Sequence, residues 1–356
     1  MSAAALTLAQ LERRMSRIMI EVDERAATSI GNVLERATFA ELVGAPHHSP
    51  GKKEEEEQED EVDDTPEPAP PDGGGGGDNN CSAGEPRAAP RARGALRMDF
   101  ASCYLPDHDE DAHFGHAKAG FVGVADGVGG YRDKGVDAGA FARALMKHAL
   151  AAAKQAAATK RGRRNINQPV VTPHSLLQRA YIKAARERAT GASTAAVVSL
   201  RGGRTLRWGY VGDSGFAVLR GGKTMAHWSA PQQHRFNRPY QLRAGGGGGD
   251  RVADAAVGEV PVAEGDVVVV GTDGLFDNVF DAELEWVVRA GTELGLSPQG
   301  MADKLAAVAR KMSRRSTPSP FSVESSRHVK DGKRPHYGGK EDDITVVVAY
   351  IVSKNS

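Results

Sequence analysis

The sequence predicts an α+β fold, an antiparallel sheet system flanked by helices. Two observations predict it. Strand-length apolar runs dominate the middle of the chain, and helical patterns arrive in pairs instead of alternating one for one with strands, which argues against a regular βαβ repeat. With 356 residues, 40% of them hydrophobic, the chain can also bury a sizeable core.

The elements follow in order. Leu8, Leu11, Met15, Ile18 and Met19 recur at helical spacing, so residues 1–45 read as an amphipathic helical extension. Residues 46–95 hold Lys52-Lys53, a Glu/Asp run, a proline cluster and glycines 73–77. Such a segment buries too little apolar surface to offset its ordering entropy and reads as a disordered acidic linker. From residue 96 to 352 the texture becomes that of a catalytic domain. Phe121 to Ala125 is a buried strand ending at Asp126-Gly127, and Val136 to Lys154 a helix with Phe141, Leu145 and Ala149 on one face. Thr172 with Pro173 opens a helix through Leu176, Ala180 and Ala184 that stops near Gly191. Strands follow at Thr194–Leu200, Thr205–Val211, Phe216–Leu219 and Val267–Gly271, then helices at about 281–293 and 298–312, and a closing strand at Thr345–Val352.

Composition narrows the function. Lys plus Arg and Asp plus Glu number 46 each, so no global field draws the chain to nucleic acid or membrane. Two cysteines, Cys81 and Cys103, make neither a disulfide framework nor a cysteine zinc site, and suit a reducing compartment. No apolar run approaches the ~20 residues that span a bilayer. The expectation is an intracellular protein, cytoplasmic or nuclear. Arg13, Arg14 and Arg17 leave plastid or mitochondrion as the alternative, although Glu12, Glu21 and Asp23 are unusual in a transit peptide. His113, His116 and His234 lack zinc-ligand spacing.

Four acidic clusters fall beside strand ends: Glu110-Asp111, Asp126-Gly127, Asp273 with Asp277, and Asp342-Asp343. Each alone has a plain reading. Asp126-Gly127 suits a turn, Asp273-Gly274 a hairpin, and Glu341 to Asp343 a solvated charge run before an edge strand. Their common position next to strongly apolar strands is what points to a site, because loops converging on a rigid scaffold can bring such acids together. Carboxylates without His or Cys partners suit hard cations such as Mg²⁺ or Mn²⁺.

Six motifs occur in order: Glu110-Asp111-Ala112-His113, Gly123 to Gly130 (GVADGVGG), Gly191 to Ala195 (GASTA), Gly212-Asp213-Ser214, Gly271 to Asn278 (GTDGLFDN) and Asp342 to Val346 (DDITV). Together they resemble the protein phosphatase type 2C family, the metal-dependent serine/threonine phosphatases, over residues 96–352. The resemblance implies a four-layer αββα sandwich, two antiparallel sheets flanked by helix pairs, with two Mg²⁺ or Mn²⁺ ions per subunit in a cleft. It implies that Asp126 bridges both ions, that the Gly127 carbonyl helps hold one, and that Asp273 and Asp342 complete the other. Glu110 and Asp111 would act through water, and Asp213 with Asp277 would hold a weaker third ion. The reaction implied is hydrolysis of phosphoserine and phosphothreonine by a metal-activated hydroxide, on phosphorylated protein substrates, by a monomer. The alternatives are a catalytically weak phosphatase-like binding module or a phosphatase of a small metabolite.

The chain departs from the family pattern in two places. Val128 stands where many members have a His thought to protonate the leaving group, and a branch of the family shares this Val. The basic phosphate anchor expected just before Glu110 is missing, the chain reading Pro106-Asp107-His108-Asp109. Nine basic residues between Arg310 and Lys340, read as an exposed loop leading into Asp342, and a flap from Gln232 to Gly249 are candidates to attract substrate instead.

Overall fold

The computed structural model describes residues 94–158, 170–187, 189–201, 203–244, 248–329 and 334–354. The expected helical extension and all but the last two residues of the expected linker lie outside the described residues.

Two five-stranded antiparallel sheets form the centre. The first runs β1 (Leu96–Leu105), β14 (Ile344–Ser353), β13 (Val267–Gly271), β7 (Gly215–Arg220) and β8 (Thr224–Trp228). The second runs β12 (Ala256–Pro261), β6 (Thr205–Val211), β5 (Ala195–Leu200), β3 (Phe121–Asp126) and β2 (Asp111–His116). Strand periodicity sorts their residues into layers. Val122 and Val124 of β3 join Val268 and Val270 of β13 in a core between the sheets. Phe121 and Ala125 face the other way, onto α1 (Gly139–Ala158) and α2 (Pro173–Arg186), where Phe141, Leu145, Leu176 and Leu177 are fully buried. Val267 and Val269 likewise face α4 (Asp281–Glu293) and α5 (Pro298–Ser313) through Leu284, Val288 and Leu305. Each such Leu or Phe contributes about 1.5–3 kcal/mol on burial. The four layers are those that the motif resemblance implies.

Helix starts are set by local chemistry. Thr172 accepts a hydrogen bond from the Ser175 amide (3.1 Å) while Ser175 accepts one from the Thr172 amide (2.9 Å), and Pro173 stands at the first helical position. Ser319 and Ser322 cap α6 (Pro320–Arg327) in the same reciprocal way, whereas at α5 only Ser297 accepts, from the Gly300 amide (3.1 Å), with Pro298 at the first position.

Several boundaries differ from those the sequence suggests. The helix expected from Val136 begins at Gly139, because Gly129–Lys134 forms a 3₁₀ turn closed by Gly135 in the left-handed region (φ 69°). The strand expected over 194–200 is β5 (Ala195–Leu200), and a short strand that the sequence did not announce precedes it. β4 (Ala192–Ser193) leaves the sheet to pair with β11 (Leu242–Arg243), and a second short ladder joins β9 (Gln233–Arg235) to β10 (Arg238–Pro239). β14 is not an edge strand: it lies between β1 and β13. Asp273-Gly274 makes no hairpin but opens the single turn α3 (Asp273–Phe276).

Candidate metal centre

The acids gather because strand ends converge. Asp126 ends β3, Asp213 lies two residues past β6, Asp273 two past β13, and Asp342 two before β14. Asp126, Asp213 and Asp273 each present a carboxylate oxygen within 4.8 Å of those of the other two. Asp277, one turn of chain beyond Asp273, and Asp342 join them through the Lys340 ammonium, which lies 2.8 Å from Asp277 Oδ2 and 3.2 Å from Asp342 Oδ2 and also pairs with Asp273. Close backbone approach fixes two glycines here. A Cβ at Gly127 would lie 2.3 Å from the Ala138 carbonyl oxygen, and one at Gly274 2.0 Å from that of Asp343.

Glu110 and Asp111 stand behind this group. Asp111, opposite Asp126 in the β2–β3 register, is buried, and its Oδ2 accepts from Thr272 (2.8 Å) and Thr345 (2.7 Å). Glu110 is buried too, with the Arg132 guanidinium 2.8 Å from its Oε1. Asp343 is built differently from its neighbour Asp342. Its carboxylate accepts from the backbone amides of Asp107, His108, Asp109 and Glu110, the first three spanning the place where the family's basic anchor would be. That loop has spent its amides on Asp343 and offers none to a phosphate.

Burial and mutual repulsion dominate the electrostatics. Burial, then the charges of Asp273 and Asp111, holds the Asp126 carboxyl well above the usual range. Burial with Asp273 and Asp277 pushes Asp213 up to about 8, despite Lys340. Asp277 and Asp342 rise to about 6, burial again leading. Asp111 is raised by burial against the pull of its two threonines. Asp343 goes the other way: burial opposes its charge, but the amides of Asp107, Glu110, His108 and Asp109 outweigh that and lower it.

A divalent cation fits this set. Hard oxygen donors converge, their repulsion calls for positive charge between them, and Asp111 Oδ1 and Asp213 Oδ1 are buried without a hydrogen-bond partner. The histidines stand elsewhere. His113 meets Ser102 (3.0 Å) and His234 meets Asp250 (3.0 Å).

Among the described residues, parts of the basic segment are helix; residues 330–333, with Lys330 and Lys333, lie outside them. Helix α5 runs through Ser313, α6 covers Pro320–Arg327, Arg310 is spent on Asp107 and two backbone carbonyls, Arg314 lies 3.6 Å from Glu341, and Arg327 pairs with Glu324 at 2.9 Å. Capping serines and prolines made helix where the charges alone suggested coil. The flap does reach the acids: Gln233 donates to Asp213 (3.1 Å) and, with Phe236, lines a cavity of about 450 Å³ shared with Asp213, Asp277, Phe276 and Phe321. Residues 245–247 of its glycine run lie outside the described residues. Two cations at the acids escaped the sequence reading. Arg132 follows closely on the Asp126 motif, which was the available signal; Lys340 stands among the nine basic residues read as candidates to attract substrate, not as a partner of the acids.

An αββα sandwich with acids converging at its strand ends defines a metal-dependent phosphoester hydrolase. Residues 105–310 match the family profile of protein phosphatase 2C, and the chain belongs to that family. It is 50% identical over 280 residues to "Putative protein phosphatase 2C 23" of Oryza sativa subsp. japonica, covering 76% of this chain and 82% of the relative. It is 36% identical over 290 residues to "Protein phosphatase PTC7 homolog fig" of Drosophila grimshawi, covering 77% and 89%. Among solved structures it is similar to the photosystem II phosphatase PBCP, with a TM-score of 0.60 and 32% identity over 71% of this chain and 98% of that one. The chain is thus a metal-dependent protein serine/threonine phosphatase, acting on phosphorylated proteins. No described helix is long and apolar enough to cross a membrane.

Proposed function

We propose that residues 96–352 form the phosphatase domain and work with two divalent cations, Mg²⁺ or Mn²⁺, held by Asp126, the Gly127 carbonyl, Asp273 and Asp342, with Glu110 and Asp111 acting through water. The observation that carries this is the approach of the Asp126, Asp213 and Asp273 oxygens to within 4.8 Å of one another. When bound, the cations supply activation of water for attack on phosphorus and neutralise charge on the phosphoryl oxygens.

The chain's own residues do the rest. Thr272 and Thr345 pin Asp111, so its free oxygen stays aimed at the cluster. Val128 has no proton to give, so the leaving group is protonated by solvent and the rate depends on how good a leaving group it is. Gln233 ties the flap to Asp213, which positions an apolar cavity beside the reacting phosphate for a neighbouring substrate side chain. Asp213 and Asp277 are the residues that a third cation would need. The enzyme acts as a monomer, and the likeness to the photosystem II phosphatase PBCP favours the plastid among the compartments considered.

Release of phosphate from a phosphothreonine peptide by purified full-length protein, with Mn²⁺ and with chelator, tests the reading. Activity that survives chelation would remove it, and activity confined to small metabolite phosphates would favour the alternative substrate class.

A further inference from the structure

Lys340 does not behave as a surface lysine. Its side chain is 17% exposed, its ammonium touches Asp273, Asp277 and Asp342, and the Phe321 ring centre lies 5.2 Å from Nζ. Its backbone is clamped as well. The Lys340 amide donates to Asn278 Oδ1 (2.9 Å) and its carbonyl accepts from Asn278 Nδ2 (2.9 Å), while Asn278, fully buried, also donates to the Gly274 carbonyl. The clamp ties the lysine to the turn that carries Asp273 and Asp277. A long side chain with much rotamer freedom to lose is therefore held at one place, among acids.

We infer that the Lys340 ammonium is a tethered cation that takes the place of a third divalent ion on the Asp277 side of the cluster, an inference that rests on the two-cation reading above. Two arguments carry it. The ammonium is bonded to Asp277 Oδ2, an oxygen of one of the two residues that a third ion would need, and to Asp273 Oδ2 beside it, while Mg²⁺ or Mn²⁺ demands its oxygens at about 2.1 Å in near-octahedral array. Charge agrees. The ammonium already supplies positive charge among Asp273, Asp277 and Asp342, where a third divalent ion would otherwise supply it.

Calorimetric titration of metal-stripped, full-length protein with MnCl₂ reads this directly. Wild type is expected to take up two Mn²⁺ per chain. K340M is expected to take up a third with an affinity at least about tenfold above any third event in wild type, K340R to keep two, and K340M combined with D277N to lose the third again. A wild type that already takes three ions, or a K340M that takes up two with unchanged or weakened affinity, would overturn the inference. Should K340M fail to fold by circular dichroism, K340Q is read by the same criteria. Wild type that takes up no Mn²⁺, or D126N that binds as wild type does, would remove the two-cation reading beneath it. Two ions in wild type, lost in D126N and unchanged in K340M, would leave that reading standing and sink this one alone.

Discussion

Asp342 and Asp343 are adjacent in sequence, and the chain uses them for opposite purposes. Asp343 faces four backbone amides of residues 107–110 and is held charged and low. Asp342 faces other acids and is pushed up to about 6, burial and Asp273 leading. One is satisfied by backbone amides; the other lies among acids, with the Lys340 ammonium 3.2 Å from its Oδ2. The contrast teaches that a run of acids before a strand can hold a structural anion and a ligand side by side, because successive residues point to opposite sides of an extended chain.

The largest effect should come from the satisfied acid. D343A would leave the amides of Asp107, His108, Asp109 and Glu110 facing an empty space, and stability should fall by about 3–5 kcal/mol in urea melts. A loss below ~1 kcal/mol would break the contrast. D126N should do the reverse. Its turnover at saturating Mn²⁺ should drop below about a tenth of wild type with little change in the metal-free melting curve, and a variant above that level would contradict its role as a ligand.

Acidity separates the two acids without mutation. Asp126, Asp213, Asp277 and Asp342 have raised values in the fold, so the native state binds more protons than the unfolded chain. Metal-free protein should therefore lose stability as pH rises from about 4, the unfolded carboxylate value, toward 8, where Asp213 titrates. Asp343, with its value lowered, contributes stability that is present above that unfolded value and is lost as pH falls through its own. Melting curves against pH with and without Mn²⁺ should show the high-pH decline only without metal. Smaller effects are expected elsewhere. V128H should raise turnover on a phosphoserine peptide by a few-fold more than on an aryl phosphate. Smallest of all, a chain starting at Gly94 should hydrolyse an aryl phosphate within a few-fold of full length, and insoluble expression would show that residues 1–93 support the domain.

Much of this was legible because local physics announced it. The tetravaline of β13, the Thr172-Pro173 start of α2 and the glycines forced by close backbone approach at Gly127 and Gly274 all leave a sequence trace. Other elements left none. β1 has six half-exposed residues in succession and no clean alternation, and β12, an edge strand containing Gly258 and Pro261, lacks a buried run. Asp343 could not be told from Asp342, since its partners lie up to 236 positions away. Lys340 looked like any loop lysine, its environment being set by Asn278 and the turn at Asp273, which only the fold brings near.

The ladder between β1 and β14 has a consequence for synthesis. Its register joins Leu96 to Ser353 and Leu105 to Ile344, so among the described residues β1 has its only sheet neighbour about 250 positions later in the chain. At roughly 5–20 residues per second, β1 would wait on the order of ten to fifty seconds on the ribosome with an unpaired edge. The same closing strand follows Asp342, so a nascent chain lacks that proposed ligand until the sheet is complete. The edge of β1 should therefore be protected only late, and chaperone demand should fall once residues 344–353 are free to pair with it.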